Sequence, residues 1–160
     1  MEQSTREGIV KELSELLTKG NAHVTFEEAC ADVPAELLNQ RVPDLPYTLW
    51  ELAEHIRIAQ WDIVEFCLSP EHKSPKWPDE YWPAPEQQAQ EADWQHTLHQ
   101  IQEDRERFLA LLQDPAQDLL APLPHGTGQT LLREALLIGD HTAYHTGQII
   151  LLRRLLKNWG

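Results

Sequence analysis

Near its end the chain reads Asp140-His141-Thr142-Ala143-Tyr144-His145, inside an apolar stretch that runs from Leu131 to Leu156. At 3.6 residues per turn, His141 and His145 lie one turn apart on the same face of a helix. That face is otherwise rich in apolar residues, among them Ile138, Leu137, Ile149, Leu152, Leu155 and Leu156. Each buried ring nitrogen left without a partner would cost roughly 1–3 kcal/mol. The pair therefore indicates either core histidines bonded to carbonyls or carboxylates, or part of a metal site.

The composition favours one compact domain over residues 1–160. With 160 residues and 41% hydrophobic content, the chain is long enough to bury a core. Its net charge of −13 opposes binding to nucleic acid and to anionic membrane surfaces. No apolar run reaches the roughly 18 residues of a membrane span, and the N-terminus lacks a signal-peptide pattern. We therefore expect a soluble, cytoplasmic protein that binds no nucleic acid and no membrane.

Helical periodicity predicts four long amphipathic helices and no strand. Capping boxes at Thr48 and at Thr25, and an N-cap at Thr130, mark three helix starts. The predicted helices, including a short one that follows Thr25, cover residues 9–17, 26–31, 48–68, 86–113 and 131–156. This pattern predicts an all-α four-helix bundle, in which facing helices can deliver ligands to one interior point.

A proline- and tryptophan-rich segment separates the second and third long helices. From Pro70 to Pro85 the prolines exclude regular structure and predict a stiff loop. Loops of this length in compact domains are often functional. Three aromatic residues of this loop, Trp77, Tyr81 and Trp82, could line the mouth of a pocket, and packing onto the bundle is the alternative.

His55 is the expected third metal ligand, because it is the only histidine of the second long helix and lies beside that helix's core stripe. Glu51 and Asp62 could orient the His55 ring by a hydrogen bond to the nitrogen that does not bind the metal, or they could lie on a solvated helix face. Two other histidines at ligand spacing, His96 and His99, fall on a polar face.

Other metal schemes fit the sequence less well. The loop residue His125 is expected to be exposed. No Glu-x-x-His pair supports a di-iron bundle. Thr142 stands where a zincin carries its glutamate.

Two stretches resemble the DinB-like superfamily: Leu52-Ala-Glu-His-Ile56, and Asp140-His-Thr-Ala-Tyr-His-Thr-Gly-Gln148. This superfamily includes bacillithiol S-transferases of the YfiT type and mycothiol-dependent isomerases. The resemblance implies a DinB-like bundle in which a three-histidine metal set falls on His55, His141 and His145. It also implies a metal-dependent reaction with a low-molecular-weight thiol.

The expected function is metal-dependent transfer chemistry on a small molecule. A divalent ion, Zn²⁺ or Ni²⁺, would activate a thiol or a bound water, and Gln148 or Tyr144 would position it. The alternative is a non-catalytic metal-binding bundle that acts as a sensor, store or stress-related scaffold. Because only Gln148, Glu51, Glu134 and Asp62 offer a fourth ligand, and neither Cys30 nor Cys67 has metal spacing, we expect an open coordination position.

Small residues recur every four positions on the last helix, at Gly139, Ala143 and Gly147. They allow close helix approach, either within the bundle or across a dimer seam. Two-fold dimers are the commonest oligomers, and the resemblance also implies a dimer, so we expect a homodimer.

Overall fold

The structure, a computed structural model, describes residues 2–160 and contains five α-helices. They are α1 (Gln3–Thr18), α2 (Phe26–Cys30), α3 (Leu49–Leu68), α4 (Glu91–Gln113) and α5 (Leu131–Leu155). The described part of the chain has no strand beyond one isolated bridge between Pro122 and Thr130. The predicted all-α class is confirmed. Four of the helices have 16 to 25 residues, and α2 has only five.

Side-chain caps begin three of the helices where the sequence predicts them. The side chains of Thr25 and Thr48 each accept a hydrogen bond from the backbone N–H of the third helical residue, which is a glutamate in both helices. The side chain of that glutamate accepts a hydrogen bond from the threonine N–H in return. Thr130 accepts from the Arg133 N–H. Each such cap stabilises its helix by about 1 kcal/mol relative to alanine. The first residues of α3 and α5, the helices that carry the histidines, are therefore fixed by interactions close in sequence.

The predicted start of the third long helix at Glu86 is wrong, because α4 begins at Glu91. Asn39 explains the difference. Its amide donates to the Ala89 carbonyl at 2.9 Å and accepts from the Ala89 N–H at 2.9 Å. Both backbone groups of Ala89 are therefore taken, and the helix starts only after Gln90, whose N–H donates to the Asp93 carboxylate at 2.7 Å.

Residues 69–90 join α3 to α4 and contain more regular structure than the prolines predict. A 3₁₀ turn covers Asp79–Tyr81 and follows a cis peptide between Trp77 and Pro78. The expectation that the segment has no regular structure is therefore wrong at this turn. Side chains of the segment also form hydrogen bonds to Asp62 of α3, which hold the segment against that helix.

Two groups of buried apolar side chains form the core. One includes Phe26, Leu49, Trp94 and Leu152, and the other includes Leu13, Val64, Phe108 and Leu131. α5 contributes to both, with Ile138 in one group and Ile149 in the other. The segment 141–145 lies between them, where packing on either side holds α5 in place.

Gly139 of α5 packs against α1 of its own chain. A Cβ at this position would lie 2.9 Å from the Leu16 Cδ2 of α1, whereas one at Gly147 would meet nothing within 4 Å. The absence of a side chain at Gly139 therefore lets α1 approach α5 closely. The small-residue stripe serves intrachain packing at this point, and the homodimer stays a prediction. None of the helices in residues 2–160 is long and apolar enough to cross a membrane.

Candidate metal centre

The structure brings His55 of α3 together with His141 and His145 of α5. One ring nitrogen from each lies within 4.8 Å of the others. His55 is 2% exposed and His145 is 7% exposed, while His141 is half-buried. The Nε2 atoms of His55 and His141, 86 residues apart in the chain, are separated by 3.1 Å. Of the residues described, these three form the group that could hold a metal ion.

Hydrogen bonds on the far side of two rings direct their Nε2 atoms into the cluster. His55 Nδ1 donates to the Tyr81 carbonyl at 2.7 Å, and His145 Nδ1 donates to the Gln148 side-chain oxygen at 2.6 Å. A carbonyl oxygen can only accept, so the proton of each neutral ring sits on Nδ1. Nε2 is then the unprotonated nitrogen, as in most histidine metal ligands held by an outer hydrogen bond.

The distance between the facing nitrogens fits a shared ion. Two neutral imidazoles that point bare nitrogens at each other repel, so the 3.1 Å contact needs a proton or a cation between them. Two nitrogen ligands that each lie about 2.0–2.1 Å from one tetrahedral zinc ion are themselves about 3.3 Å apart, close to the distance found here. The donor set of three imidazoles suits zinc or nickel.

Burial keeps the cluster neutral. It is the largest cause that lowers the pKa of His141 to about 3, and the neighbouring His145 and His55 lower it further. Burial also lowers the pKa of His55 and of His145, against the effect of their hydrogen bonds to Tyr81 and Gln148. Near pH 7 all three rings are therefore uncharged, which is the form that binds a metal.

Aromatic residues cover two of the imidazoles. The ring of Trp82 stacks on His55 with centroids 4.0 Å apart and planes 4° from parallel. Tyr144 meets His145 edge-on at 4.9 Å and is 65% exposed. Trp77 is 72% exposed and meets the Tyr81 ring edge-on at 5.3 Å, so its place at the mouth of a pocket stays a prediction. Tyr81 reaches the site through its backbone carbonyl, a role that its side chain does not predict.

Replacing Trp82 with phenylalanine should remove more of the metal-induced change in tryptophan fluorescence than any other single tryptophan replacement. The chain has six tryptophans, and Trp82 lies in direct contact with a proposed ligand. Titration of the metal-free protein with Ni²⁺ measures this change. Trp77→Phe is the matched control, because Trp77 is exposed on the same segment and should leave the change intact. An equal loss in both variants would argue against an ion beside Trp82.

The carboxylates considered as ligands or orienting groups are engaged elsewhere. Glu51 closes the capping box of α3 and pairs with Arg41. Glu134 is buried and pairs with Arg133 at 2.5 Å. Both oxygens of Asp62 bond residues of the segment 69–90, namely His72 and Tyr81, and not His55. Within residues 2–160, the metal-competent group contains three imidazoles and no carboxylate.

The remaining histidines lie outside the cluster. His96 and His99 are exposed on α4, as the polar face predicts. The predicted exposure of His125 is wrong, because this residue is half-buried and its Nε2 bonds the Phe66 carbonyl at 2.6 Å. That bond pins the loop before α5 to the end of α3.

The family match agrees with this fold and site. A family model described as the DinB superfamily matches residues 21–149, which include all three histidines. The chain belongs to the DinB superfamily. No curated protein and no solved structure matches the chain significantly.

Proposed function

We propose that His55, His141 and His145 bind one divalent ion, Zn²⁺ or Ni²⁺, and that the protein uses it to transfer a group between a small molecule and a low-molecular-weight thiol or water. The observation that carries the proposal is the convergence of three neutral imidazoles within 4.8 Å, two of them with Nδ1 already bonded. Three protein ligands leave room for a further one, as in catalytic zinc sites. When bound, such an ion supplies Lewis-acid chemistry that lowers the pKa of a thiol or water.

The chain's own cysteines do not serve as the thiol. Cys30 and Cys67 are both buried, and neither belongs to the histidine cluster. Burial raises the pKa of Cys67 to about 12, and burial likewise raises the pKa of Cys30. A thiol that stays protonated is a poor nucleophile. A thiol reaction at this site would therefore use a diffusible thiol.

Gln148 and Tyr144 are the side chains that we propose position the reacting molecules. The Gln148 oxygen is taken by His145, which leaves its amide N–H groups to donate to a bound molecule. Tyr144 places a phenol at the exposed rim beside His145. Both roles are hydrogen bonding, and neither residue is assigned as a general base.

The test combines metal analysis with a thiol-transfer screen. Protein purified without a histidine tag should contain close to one zinc or nickel ion per chain. The metal-loaded protein should then accelerate the reaction of a small thiol with electrophilic substrates, and the metal-free protein should not. Absence of metal after dialysis against Zn²⁺ and against Ni²⁺ would contradict the proposal.

A non-catalytic metal-binding role is the alternative, and one observation favours it. The histidine cluster includes no carboxylate that could act as a general base. Stoichiometric metal binding without turnover in the screen would support a sensor, store or scaffold. The opposite observation is that His141 is only half-buried and that Tyr144 beside the cluster is exposed. A small molecule could therefore reach the site, which favours a catalytic role over a non-catalytic one.

We also propose that residues 1–160 form one four-helix bundle domain of the DinB-like type and that the chain is a homodimer. Light scattering at high micromolar concentration should give twice the chain mass of 18.5 kDa. Because Gly139 packs against Leu16 of its own chain, Gly147→Leu is the variant that tests the exposed part of the small-residue stripe. A monomer mass for the unmodified chain would rule out the dimer.

A further inference from the structure

Asp62 is a buried carboxylate that anchors two residues of the segment 69–90. It lies on α3 two turns after His55 and is 8% exposed. One oxygen bonds His72 Nε2 at 2.8 Å, and the other accepts from the Tyr81 hydroxyl at 2.6 Å. The ring of Trp61, the preceding residue, meets His72 edge-on at 5.2 Å. Two points of the segment, nine residues apart, are therefore tied to one side chain.

Tyr81 links this anchor to the histidine cluster. Its hydroxyl donates to Asp62, and its backbone carbonyl accepts from His55 Nδ1. The next residue, Trp82, stacks on the His55 ring. The two contacts that hold this imidazole from outside the cluster thus come from adjacent residues, 81 and 82. Both depend on where the segment lies.

We propose that Asp62 is a positioning residue for the metal centre, which acts through Tyr81 to hold His55 with its Nε2 directed at the ion. The proposal rests on the proposed function, because it assumes that His55 is a ligand. Asp62 does not touch the ion or the substrate in this scheme. It holds the segment so that the Tyr81 carbonyl stays in reach of Nδ1.

A carboxylate suits this position because it can accept two hydrogen bonds at once. Burial, together with the bond to Asp62, raises the pKa of Tyr81, so its hydroxyl stays protonated and donates. An asparagine would offer one acceptor oxygen and would keep one bond at most without a change in its partner. An alanine would keep neither, and two partly buried donors would lose their acceptor.

The main test compares the zinc affinity of Asp62→Ala with that of a matched control. Asp104→Ala is the control, since Asp104 is also a buried carboxylate, 4% exposed, but bonds Arg107 on α4. Removing outer-shell partners of metal ligands typically costs 10–100-fold in affinity. We expect Asp62→Ala to weaken Zn²⁺ binding about 10-fold or more, and Asp104→Ala to leave it unchanged. Competition with a chelating dye measures both.

A second readout follows the His55 ring without metal. In the metal-free protein, long-range ¹H–¹⁵N NMR spectra should show His55 protonated on Nδ1, and Asp62→Ala should mix the two tautomers. Asp62→Asn and Tyr81→Phe serve if the alanine variant does not fold. Each removes one link and should give a smaller shift in the same direction. The Co²⁺ absorption spectrum of each variant reports the coordination directly.

The outcomes separate this inference from the proposed function. If the unmodified protein binds no Zn²⁺, Ni²⁺ or Co²⁺, the proposed function fails. If it binds metal and Asp62→Ala keeps both the affinity and the Nδ1 tautomer, the role of Asp62 is refuted while the metal site stands. Equal losses in Asp62→Ala and Asp104→Ala would show a general effect of stability and would also refute the positioning role.

Discussion

Replacing His141 with alanine is expected to reduce the metal content from about one ion per chain to near zero. In the proposed site His141 would supply one of three ligand atoms, and its Nε2 lies 3.1 Å from that of His55. The two remaining imidazoles fall one short of the three protein ligands that catalytic zinc sites use, so we expect the ion to be lost on dialysis. Plasma mass spectrometry of protein dialysed against Zn²⁺ measures the content.

The same variant should lose the metal-dependent rise in melting temperature. A ligand present at 100 times its dissociation constant stabilises the folded state by about 2.7 kcal/mol, which for a chain of this size corresponds to roughly 5–10 °C. His99→Ala is the matched control, because His99 is exposed on α4 and should leave metal content and melting temperature unchanged. Full metal content in the His141 variant would show that the three histidines are not the site.

Replacing Phe108 with alanine should have the largest effect on stability, a loss of about 3–5 kcal/mol in the free energy of unfolding. Phe108 is fully buried among Leu13, Val64 and Leu112, where the truncation leaves a cavity between α1, α3 and α4. Urea unfolding followed by circular dichroism measures the loss.

The position of Phe108 also separates stability from metal binding. It belongs to the core group that includes Leu131, whereas His55 lies on the part of α3 that packs into the other group. Folded Phe108→Ala protein should thus keep its metal content. Leu136→Ala, at an exposed position of α5, should change the free energy of unfolding by less than about 0.5 kcal/mol. A loss below about 1 kcal/mol for Phe108→Ala would contradict the described core.

Those parts of the fold that have a local sequence signature could be predicted. The helix starts predicted at Thr25, Thr48 and Thr130 are confirmed. They could be predicted because an N-cap needs only a side-chain oxygen placed three residues before a free backbone N–H. The start of α4 could not be predicted in the same way. It depends on Asn39, some 50 residues away, which binds the backbone of Ala89.

The candidate site shows the same division between local and distant information. Helical spacing places His141 and His145 on one face, and the structure brings His55 to them. The sequence does not predict the bond from His55 to the Tyr81 carbonyl, since a backbone carbonyl has no side-chain signature. Among three candidate aromatic residues, only the folded segment distinguishes stacked Trp82 from exposed Trp77.

The distance along the chain between the histidines has a consequence for the lifetime of the folded state. An ion held between α3 and α5 would close a loop of 86 residues, much as a disulfide does, but reversibly. These helices could then separate only after an imidazole leaves the ion, so coordination would slow unfolding. A chelator would remove this cross-link without altering the covalent chain. Resistance to protease under unfolding conditions would thus be governed by the free metal concentration, whether or not a reaction takes place at the site.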